Sequence, residues 1–263
     1  MNNQMKSKLH SAGFKAVLAA GVLLAGMGLA ATANAAPINL SGSVGGVPNN
    51  SGVNYENFND APLNDQNASY TTASGIQVSF LPDAQAVQGA QSGQYAAPFL
   101  SSFNGTLFGD PTNGADSTTY LTSGANDSNH PNAGVTLNFT QQQKYLGLLW
   151  GSVDDYNTLT FYSGGLIVGT FTGADVGNSA GLGNCIGGDQ GELGTCYVNI
   201  NFSMGSFDTV IATSSQHAFE FDNVAFSAQT IRVPEPGVAG MFLLGMLLLG
   251  SVYWLKRRES RED

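Results

Sequence analysis

Two groups of acidic and amide residues offer oxygen ligands for a divalent cation. Asp154, Asp155 and Asn157 follow an apolar segment, and Asp222 and Asn223 interrupt another. Calcium in proteins binds carboxylate and carbonyl oxygens that bent loops present. A calcium ion that joins the two groups is therefore one hypothesis for these residues. The alternative is that these Asp and Asn residues are ordinary turn formers at strand ends.

Tyrosines near the first group could bind carbohydrate. Tyr156 and Tyr162 lie beside a predicted strand and are expected to face outward, as is Tyr95. A tyrosine ring offers an apolar face and a polar hydroxyl, which suits a sugar ring and its hydroxyl groups. Tyr156 and Tyr162 are therefore candidate glycan-binding residues. The alternative is that they are ordinary exposed tyrosines at the rim of a β domain.

Groups that could catalyse a reaction are scarce. The chain contains no nucleophile elbow, P-loop, zinc-protease motif or dinucleotide fingerprint. His10 lies in the N-terminal segment, His130 in a polar loop and His217 just before a predicted strand. Two carboxylates could serve a glycosidase, and the nominal candidates are Asp154, Asp155, Glu220 and Asp222. A domain so rich in acidic residues pairs some of them by chance, so we expect no enzymatic activity.

The two cysteines, Cys185 and Cys196, are close together in the sequence. A single close pair in an exported protein predicts a disulfide bond. In the chain-entropy description, closing a loop of this size stabilises the fold by about 3 kcal/mol. The alternative, a metal site with two thiolates, lacks nearby histidines.

Short segments that alternate between apolar and polar residues predict an all-β domain. The clearest predicted strands are 75–80, 135–139, 145–153, 159–161, 167–171, 198–202, 207–212 and 218–226. Segment 159–171 is predicted to be a hairpin that turns at Ser163-Gly164-Gly165. The number of short strands and the near absence of helical periodicity favour a β-sandwich of jelly-roll-like topology.

Three segments depart from simple alternation. Segment 145–153 is apolar on both faces, which predicts a central strand covered on both sides. One face would carry Leu146, Leu148 and Trp150, and the other Tyr145, Leu149 and Val153. The alternation in 218–226 changes phase at Asp222-Asn223, which predicts a β-bulge. Residues 83–133 show little periodicity, so we predict a long loop with one short turn.

Charge is distributed unevenly along the chain. Residues 36–232 contain two basic residues, Lys144 and Arg232, and 15 acidic ones, a formal net charge of −13. A domain of this charge repels phosphate backbones, which excludes nucleic acid as a partner. Divalent cations and neutral or cation-bridged polysaccharides remain suitable partners.

The N-terminal segment predicts export. Three lysines, Lys6, Lys8 and Lys15, precede an apolar run over 16–31, and Ala33-Asn34-Ala35 matches an A-x-A cleavage motif. These parts are typical of a secretory signal peptide over 1–35, with cleavage between Ala35 and Ala36. An uncleaved signal anchor is the alternative.

The C-terminal segment predicts a membrane span. Its parts, in order, are Val233-Pro234-Glu235-Pro236, 19 uncharged residues over 237–255, and Lys256-Arg257-Arg258. As a helix, 19 residues extend about 28 Å, close to the ~30 Å of a bilayer core. A basic cluster beside a span stays in the cytosol, so the preceding domain is expected outside. A buried core helix is the alternative.

This ordered set of a Pro-Glu-Pro motif, one span and a basic tail resembles the PEP-CTERM sorting signal. The resemblance implies recognition by an exosortase, a membrane-embedded cysteine transpeptidase, and sorting to the surface of a Gram-negative bacterium that makes exopolysaccharide. Segments 145–162 and 219–226 are similar to parts of exosortase-dependent surface proteins. That second resemblance implies a β-rich surface module and brings no catalytic residues with it.

These expectations divide the chain into a signal peptide (1–35), an exported β-sandwich (36–232), a sorting signal (233–258) with a transmembrane helix (237–255), and a cytoplasmic tail (259–263). The expected function is a structural or adhesive component of the exopolysaccharide layer, with exosortase, surface glycan and the membrane as partners. A calcium-dependent carbohydrate-binding module is the first alternative, and a secreted hydrolase is the second. No cofactor is expected, apart from the calcium of that alternative.

Overall fold

The computed structural model describes residues 40–44, 46–101, 106–110, 113–124, 134–178, 185 and 187–232. All of them belong to the unit Ala35–Asp263, one of two units in the chain. The predicted signal peptide with its cleavage site at Ala35 and Ala36, the sorting signal from Val233 to Arg258, the helix over 237–255 and His130 lie outside the described residues. Within the described ranges, no helix has the length and apolar character needed to cross a membrane.

Strands are the main secondary structure of the described chain, as predicted. They are β1 (Leu40–Val44), β2 (Asn54–Glu56), β3 (Ser69–Thr71), β4 (Gln77–Phe80), β5 (Ala84–Val87), β6 (Phe99–Leu100), β7 (Gly114–Ala115), β8 (Tyr120–Ser123), β9 (Gly134–Gln143), β10 (Tyr145–Gly151), β11 (Asn157–Ser163), β12 (Leu166–Thr172), β13 (Cys196–Phe202), β14 (Phe207–Ser214) and β15 (Phe219–Ser227). The described helices are a 3₁₀ turn at Thr106–Phe108 and α1 at Gly173–Asn178.

Most strands form two antiparallel sheets. The seven-stranded sheet has the order β1-β13-β10-β15-β8-β5, and β2 also pairs with β15. The six-stranded sheet has the order β12-β11-β14-β9-β4-β3, and β6 pairs with β7 alone. The all-β prediction is therefore confirmed, with two sheets arranged like a β-sandwich.

The two sheets share one apolar core. Side chains from β10, β13 and β15 in one sheet and from β9, β11 and β14 in the other belong to a single buried cluster. Phe161 of the six-stranded sheet lies 5.1 Å from Phe202 of the seven-stranded sheet, measured between ring centroids. Burial of these apolar side chains supplies the main free energy that holds the sheets together.

The seven-stranded sheet is also covered on its other side, which we call the outer face. Tyr145, Leu149 and Tyr197 point away from the main core and form a second buried cluster with Leu100 and Phe108. The predicted central strand, covered on both sides, is therefore confirmed for β10. Val153 differs from the prediction, because it belongs to the main core rather than to the side of Tyr145 and Leu149.

The predicted hairpin and bulge are both present. Gly164 and Gly165 adopt positive φ angles of 56° and 81° in the two-residue turn between β11 and β12, a conformation that glycine adopts readily. In β15 the register with β10 shifts between Gly147 and Leu149, where Asn223 has a φ of 52°. Phe221 and Val224 both face the main core, so the bulge leaves Asp222 and Asn223 between them on the outer face.

The prediction of one long loop over 83–133 is wrong. This segment contributes β5 and β8 to the seven-stranded sheet and the small pair β6 and β7. All four residues of β8 are buried, so the strand lacks the apolar-polar alternation from which strands are recognised. In β13 the sequence does alternate, which would place the polar Asn199 at the surface. Asn199 is instead fully buried and accepts a 2.7 Å hydrogen bond from the Tyr145 hydroxyl.

Candidate functional site

A cleft of about 440 Å³ opens where β10 ends and β15 begins. One wall is the segment 90–96, and the opposite side is formed by the turn after β10 and by residues 217–220. Short turns connect rigid strands at this edge, so the side chains on them are held in place by the sheet. We call this feature the cleft.

Tyr156 and Asp154 stand side by side in the cleft. The Tyr156 hydroxyl donates a 3.4 Å hydrogen bond to the backbone carbonyl of His217. Burial raises the pKa of Asp154, its hydrogen bond with Tyr156 opposes the rise, and the charge of Asp155 adds to it. Asp155 itself is exposed. A tyrosine beside a carboxylate presents both a ring face and hydrogen-bond acceptors to a ligand.

Glu220 is the buried carboxylate of the cleft. Its Oε1 accepts a 2.8 Å hydrogen bond from the backbone N–H of Ala96, whereas its buried Oε2 has no hydrogen-bond partner. Burial raises the pKa of Glu220 to about 7, a rise that the N–H of Ala96 opposes and the charge of Asp154 reinforces. Glu220 can therefore hold or release a proton near neutral pH.

The fold separates Tyr162 from the other two candidate tyrosines. Tyr95 lies in the cleft wall, and its ring packs edge-on against Tyr120 with centroids 6.4 Å apart. Tyr162 lies on β11 of the six-stranded sheet, opposite Thr209 and Ile167, and is absent from the lining of the cleft. Tyr95 and Tyr156 therefore share the cleft, and Tyr162 does not.

The predicted disulfide bond between Cys185 and Cys196 is confirmed. Cys196 begins β13, and Gly188 and Gln190 of the enclosed loop line the cleft. Within the loop, Asp189 accepts a 2.7 Å hydrogen bond from the N–H of Gly191. The disulfide bond thus ties one part of the cleft wall to the seven-stranded sheet.

The residues of the predicted calcium site have different surroundings. Asp154 and Asp155 lie at or beside the cleft, whereas Asp222 is fully buried on the outer face and its nearest acidic neighbours are Asp116 and Asp110. Asn157 is buried and its side chain accepts a 2.7 Å hydrogen bond from the Ser214 hydroxyl. This side chain therefore stabilises the turn instead of facing a ligand.

Asp110 and Asp116 were missed by sequence reasoning. They stand in the segment that lacks periodicity, and no motif surrounds them. Among the residues that the structure describes, no group of three His, Cys, Asp or Glu side chains is arranged to hold a metal ion as it stands.

No family model matches the chain, and no curated protein matches it.

Proposed function

We propose that the chain is an exported surface protein whose β-sandwich, of jelly-roll-like topology, adheres to exopolysaccharide through the cleft. The observation that supports this function is the joint presence of Tyr95, Tyr156 and two carboxylates in one polar cleft. Such a site would stack tyrosine rings on sugar faces and accept hydrogen bonds from sugar hydroxyls.

The charge of the cleft limits the ligand class. Among the described residues that line it are the acidic Asp154 and Glu220 and no lysine or arginine. A neutral polysaccharide suits such a site, whereas a polyanionic one would be repelled unless divalent cations bridged it. Partial neutralisation of Glu220 near neutral pH reduces this repulsion and leaves a hydrogen-bond donor for a sugar hydroxyl.

The glycan proposal is tested by calorimetric titration of the purified full chain, in detergent, with the exopolysaccharide of its own host. We expect Tyr156→Ala to weaken binding at least 10-fold, because the ring and hydroxyl of Tyr156 are both lost from the cleft. Tyr162→Ala is the matched control and should bind like the wild type. Equal affinities of the two variants would contradict the assignment of the cleft.

Delivery to the surface is proposed from the two ends of the chain. The signal peptide, cleaved between Ala35 and Ala36, would export residues 36–232, and the helix 237–255 would hold them outside the inner membrane. An exosortase would then act near Val233-Pro234-Glu235-Pro236, with Lys256-Arg257-Arg258 on the cytoplasmic side. The product would join the cell surface or extracellular matrix of a Gram-negative bacterium, as part of a biofilm.

Deletion of Pro234–Pro236 tests the sorting step. The deleted chain should remain in the membrane fraction at full length, while the wild type is shortened and leaves that fraction, as followed by immunoblot. Unchanged processing of the deleted chain would contradict a role for this motif.

A second candidate function, a secreted glycoside hydrolase, is favoured by one observation. Glu220 has a pKa of about 7 and stands near a second carboxylate, Asp154, the combination that a general acid and its partner require. Release of reducing ends from the exopolysaccharide that is lost in Glu220→Gln would support hydrolysis. Binding without turnover would support adhesion alone.

A further inference from the structure

A second, smaller pocket adjoins the cleft, and we call it the side pocket. Its volume is about 200 Å³. The described residues that line it alone are Gln66, Asp83, Gln85 and Thr122. The residues that line both the side pocket and the cleft are Gln94, Tyr95 and His217. Because the two spaces share these side chains, they are neighbouring parts of one groove.

The register of the seven-stranded sheet connects the two spaces. Thr122 of β8 lies opposite Gln85 of β5 on one side and opposite Glu220 of β15 on the other. Directly opposed residues of antiparallel strands point to the same face of a sheet. The adjacent residues Leu121 and Phe221 belong to the main core, so this polar row points to the outer face. With strands about 4.8 Å apart, the row extends about 10 Å from the side pocket to the cleft.

The wall that the two spaces share is fastened to the sheet. The N–H of Ala96 donates a 2.8 Å hydrogen bond to Glu220, and the Tyr120 hydroxyl of β8 donates one to the backbone carbonyl of Gly89. Between these two points the ring of Tyr95 packs edge-on against Tyr120. The groove is therefore formed before a ligand binds, which lowers the entropic cost of binding.

The side pocket offers neutral groups that both donate and accept hydrogen bonds. Three of its lining residues are glutamines, Gln66, Gln85 and Gln94. Each amide provides two donors and an acceptor oxygen, and the hydroxyl of Thr122 provides both functions as well. Burial lowers the pKa of His217, so its imidazole is uncharged at neutral pH and again offers one donor and one acceptor. Sugar hydroxyls, which also donate and accept, are the groups that such a lining complements.

Glu220 provides an unsatisfied acceptor at the other end of the polar row. Its side chain is 2% exposed and lines the cleft. Its Oε1 accepts the hydrogen bond from Ala96, whereas its buried Oε2 has no partner among the described residues. An unpartnered buried oxygen costs free energy, which a hydroxyl of a ligand can recover. A sugar bound at Glu220 would have Thr122 and the side pocket directly beside it.

A ligand that occupies both spaces must be a chain of linked sugars. We propose that the cleft and the side pocket form one groove for consecutive units of a neutral polysaccharide, with the side pocket as the second subsite. The described residues of this groove include the carboxylates of Asp83, Asp154 and Glu220 and no lysine or arginine, which disfavours a polyanion. The inference rests on the proposed function of the cleft and extends it from one sugar to a stretch of chain.

A series of ligand lengths tests the second subsite. Oligosaccharides are prepared from the exopolysaccharide of the host by partial acid hydrolysis, sized by gel filtration and titrated calorimetrically into the purified full chain in detergent. The wild type should bind a hexasaccharide at least ~10-fold more tightly than a disaccharide, because a disaccharide can fill only one of the two linked subsites. Equal affinities for the two lengths would overturn the proposal.

Gln85→Ala tests the side pocket itself. This variant should bind the hexasaccharide about 5-fold more weakly than the wild type, because the hydrogen bonds of the amide are lost. Gln66→Ala, at an exposed residue of a turn, is the second variant should Gln85→Ala fail to fold by circular dichroism. Gln77→Ala, at an exposed glutamine of β4 in the other sheet, is the matched control and should bind like the wild type.

The outcomes separate this inference from the function on which it rests. Suppose that Tyr156→Ala weakens binding of the polymer, but that Gln85→Ala and Gln66→Ala bind the hexasaccharide like the wild type. The side pocket would then be overturned as a subsite, and the cleft would remain a glycan site. Absence of binding by the wild type, for the polymer and for both oligosaccharides, would overturn the proposed function together with this inference.

Discussion

The two faces of the seven-stranded sheet are built from the same strands but bury different chemistry. On the inner face, β10 and β15 present Leu146, Leu148, Trp150, Phe219 and Phe221 to the main core. On the outer face the same strands present a tyrosine, a glutamate and an aspartate, all buried. On the inner face the buried apolar side chains contact one another and need no polar partner. On the outer face the buried carboxylates need hydrogen-bond donors or protons to offset the cost of their burial.

Glu220 and Asp222 show this need most clearly, because they stand two positions apart on the outer face of β15. Glu220 receives one backbone N–H, from Ala96, and lies beside an open cleft. Asp222 is fully buried, and its hydrogen-bonding neighbours are the carboxyl group of Asp116 and the backbone of Asn223. The first carboxylate can be compensated by a proton from solvent or by a sugar hydroxyl, whereas the second is enclosed with another acid. Position along one strand thus separates a carboxylate at an open cleft from one that is enclosed.

The largest expected effect concerns the inner face. Phe161→Ala should lower the free energy of unfolding by about 3–5 kcal/mol, because it leaves a cavity beside Phe202 and Phe207, whose ring centroids lie 5.1 Å from that of Phe161. Urea unfolding measures the loss. Leu166→Ala, at a side chain 74% exposed on the next strand, is the control and should change little. A loss below about 1 kcal/mol would contradict a packed inner face.

A pH-dependent effect sharpens the comparison at Glu220. Since burial raises the pKa of this group from 4.5 to about 7, the folded state holds the proton more tightly than the unfolded state. The protonated group favours folding below about pH 4.5, and that contribution is lost as pH rises through about 7.

Glu220→Gln should therefore flatten the fall in stability between pH 4.5 and 7.5 by up to about 3 kcal/mol. Urea unfolding at several pH values, on the wild type and the variant in parallel, gives this difference directly. An unchanged pH dependence of the unfolding free energy in the variant would mean that Glu220 does not take up a proton in the folded state over this range.

The smallest expected effect concerns the tyrosines of the outer face. A Cβ atom at Gly147 would collide with the Tyr145 hydroxyl and would lie 2.8 Å from the Tyr197 ring, so Gly147→Ala should destabilise the chain by about 1–3 kcal/mol. Gly46→Ala, where a Cβ meets nothing within 4 Å, is the control. A neutral effect at Gly147 would indicate that the outer face is loosely packed. It would contradict the description of both faces of the sheet as buried and packed.

Sequence reasoning was most successful where one local rule decides the structure. Apolar residues on both sides of β10, the glycine pair at 164–165 and the phase change at Asp222 each report their own backbone environment. The disulfide bond between Cys185 and Cys196 was equally predictable, because two cysteines allow only one pairing. These features identify the all-β class and most of the central strands.

The strands of segment 83–133 and the acidic neighbours of Asp222 could not be predicted from the sequence, for a common reason. The strands β5 and β8 are short and buried without alternation, so their role depends on the neighbours that they meet. Asp110 and Asp116 gain significance only because the fold carries them to Asp222. Tyr156 and Asp154 were predicted from the local sequence, but nothing local indicated that Tyr162 would lie outside the cleft.

Calorimetric titration of the host's exopolysaccharide into the purified full chain tests most directly whether the cleft beside Glu220 binds a ligand. We expect saturable binding by the wild type and by Tyr162→Ala, and an affinity at least 10-fold lower in Tyr156→Ala. Saturable binding that depends on Tyr156 would establish the cleft as the binding site. No saturable binding by the wild type, or equal affinities of the two variants, would contradict the account.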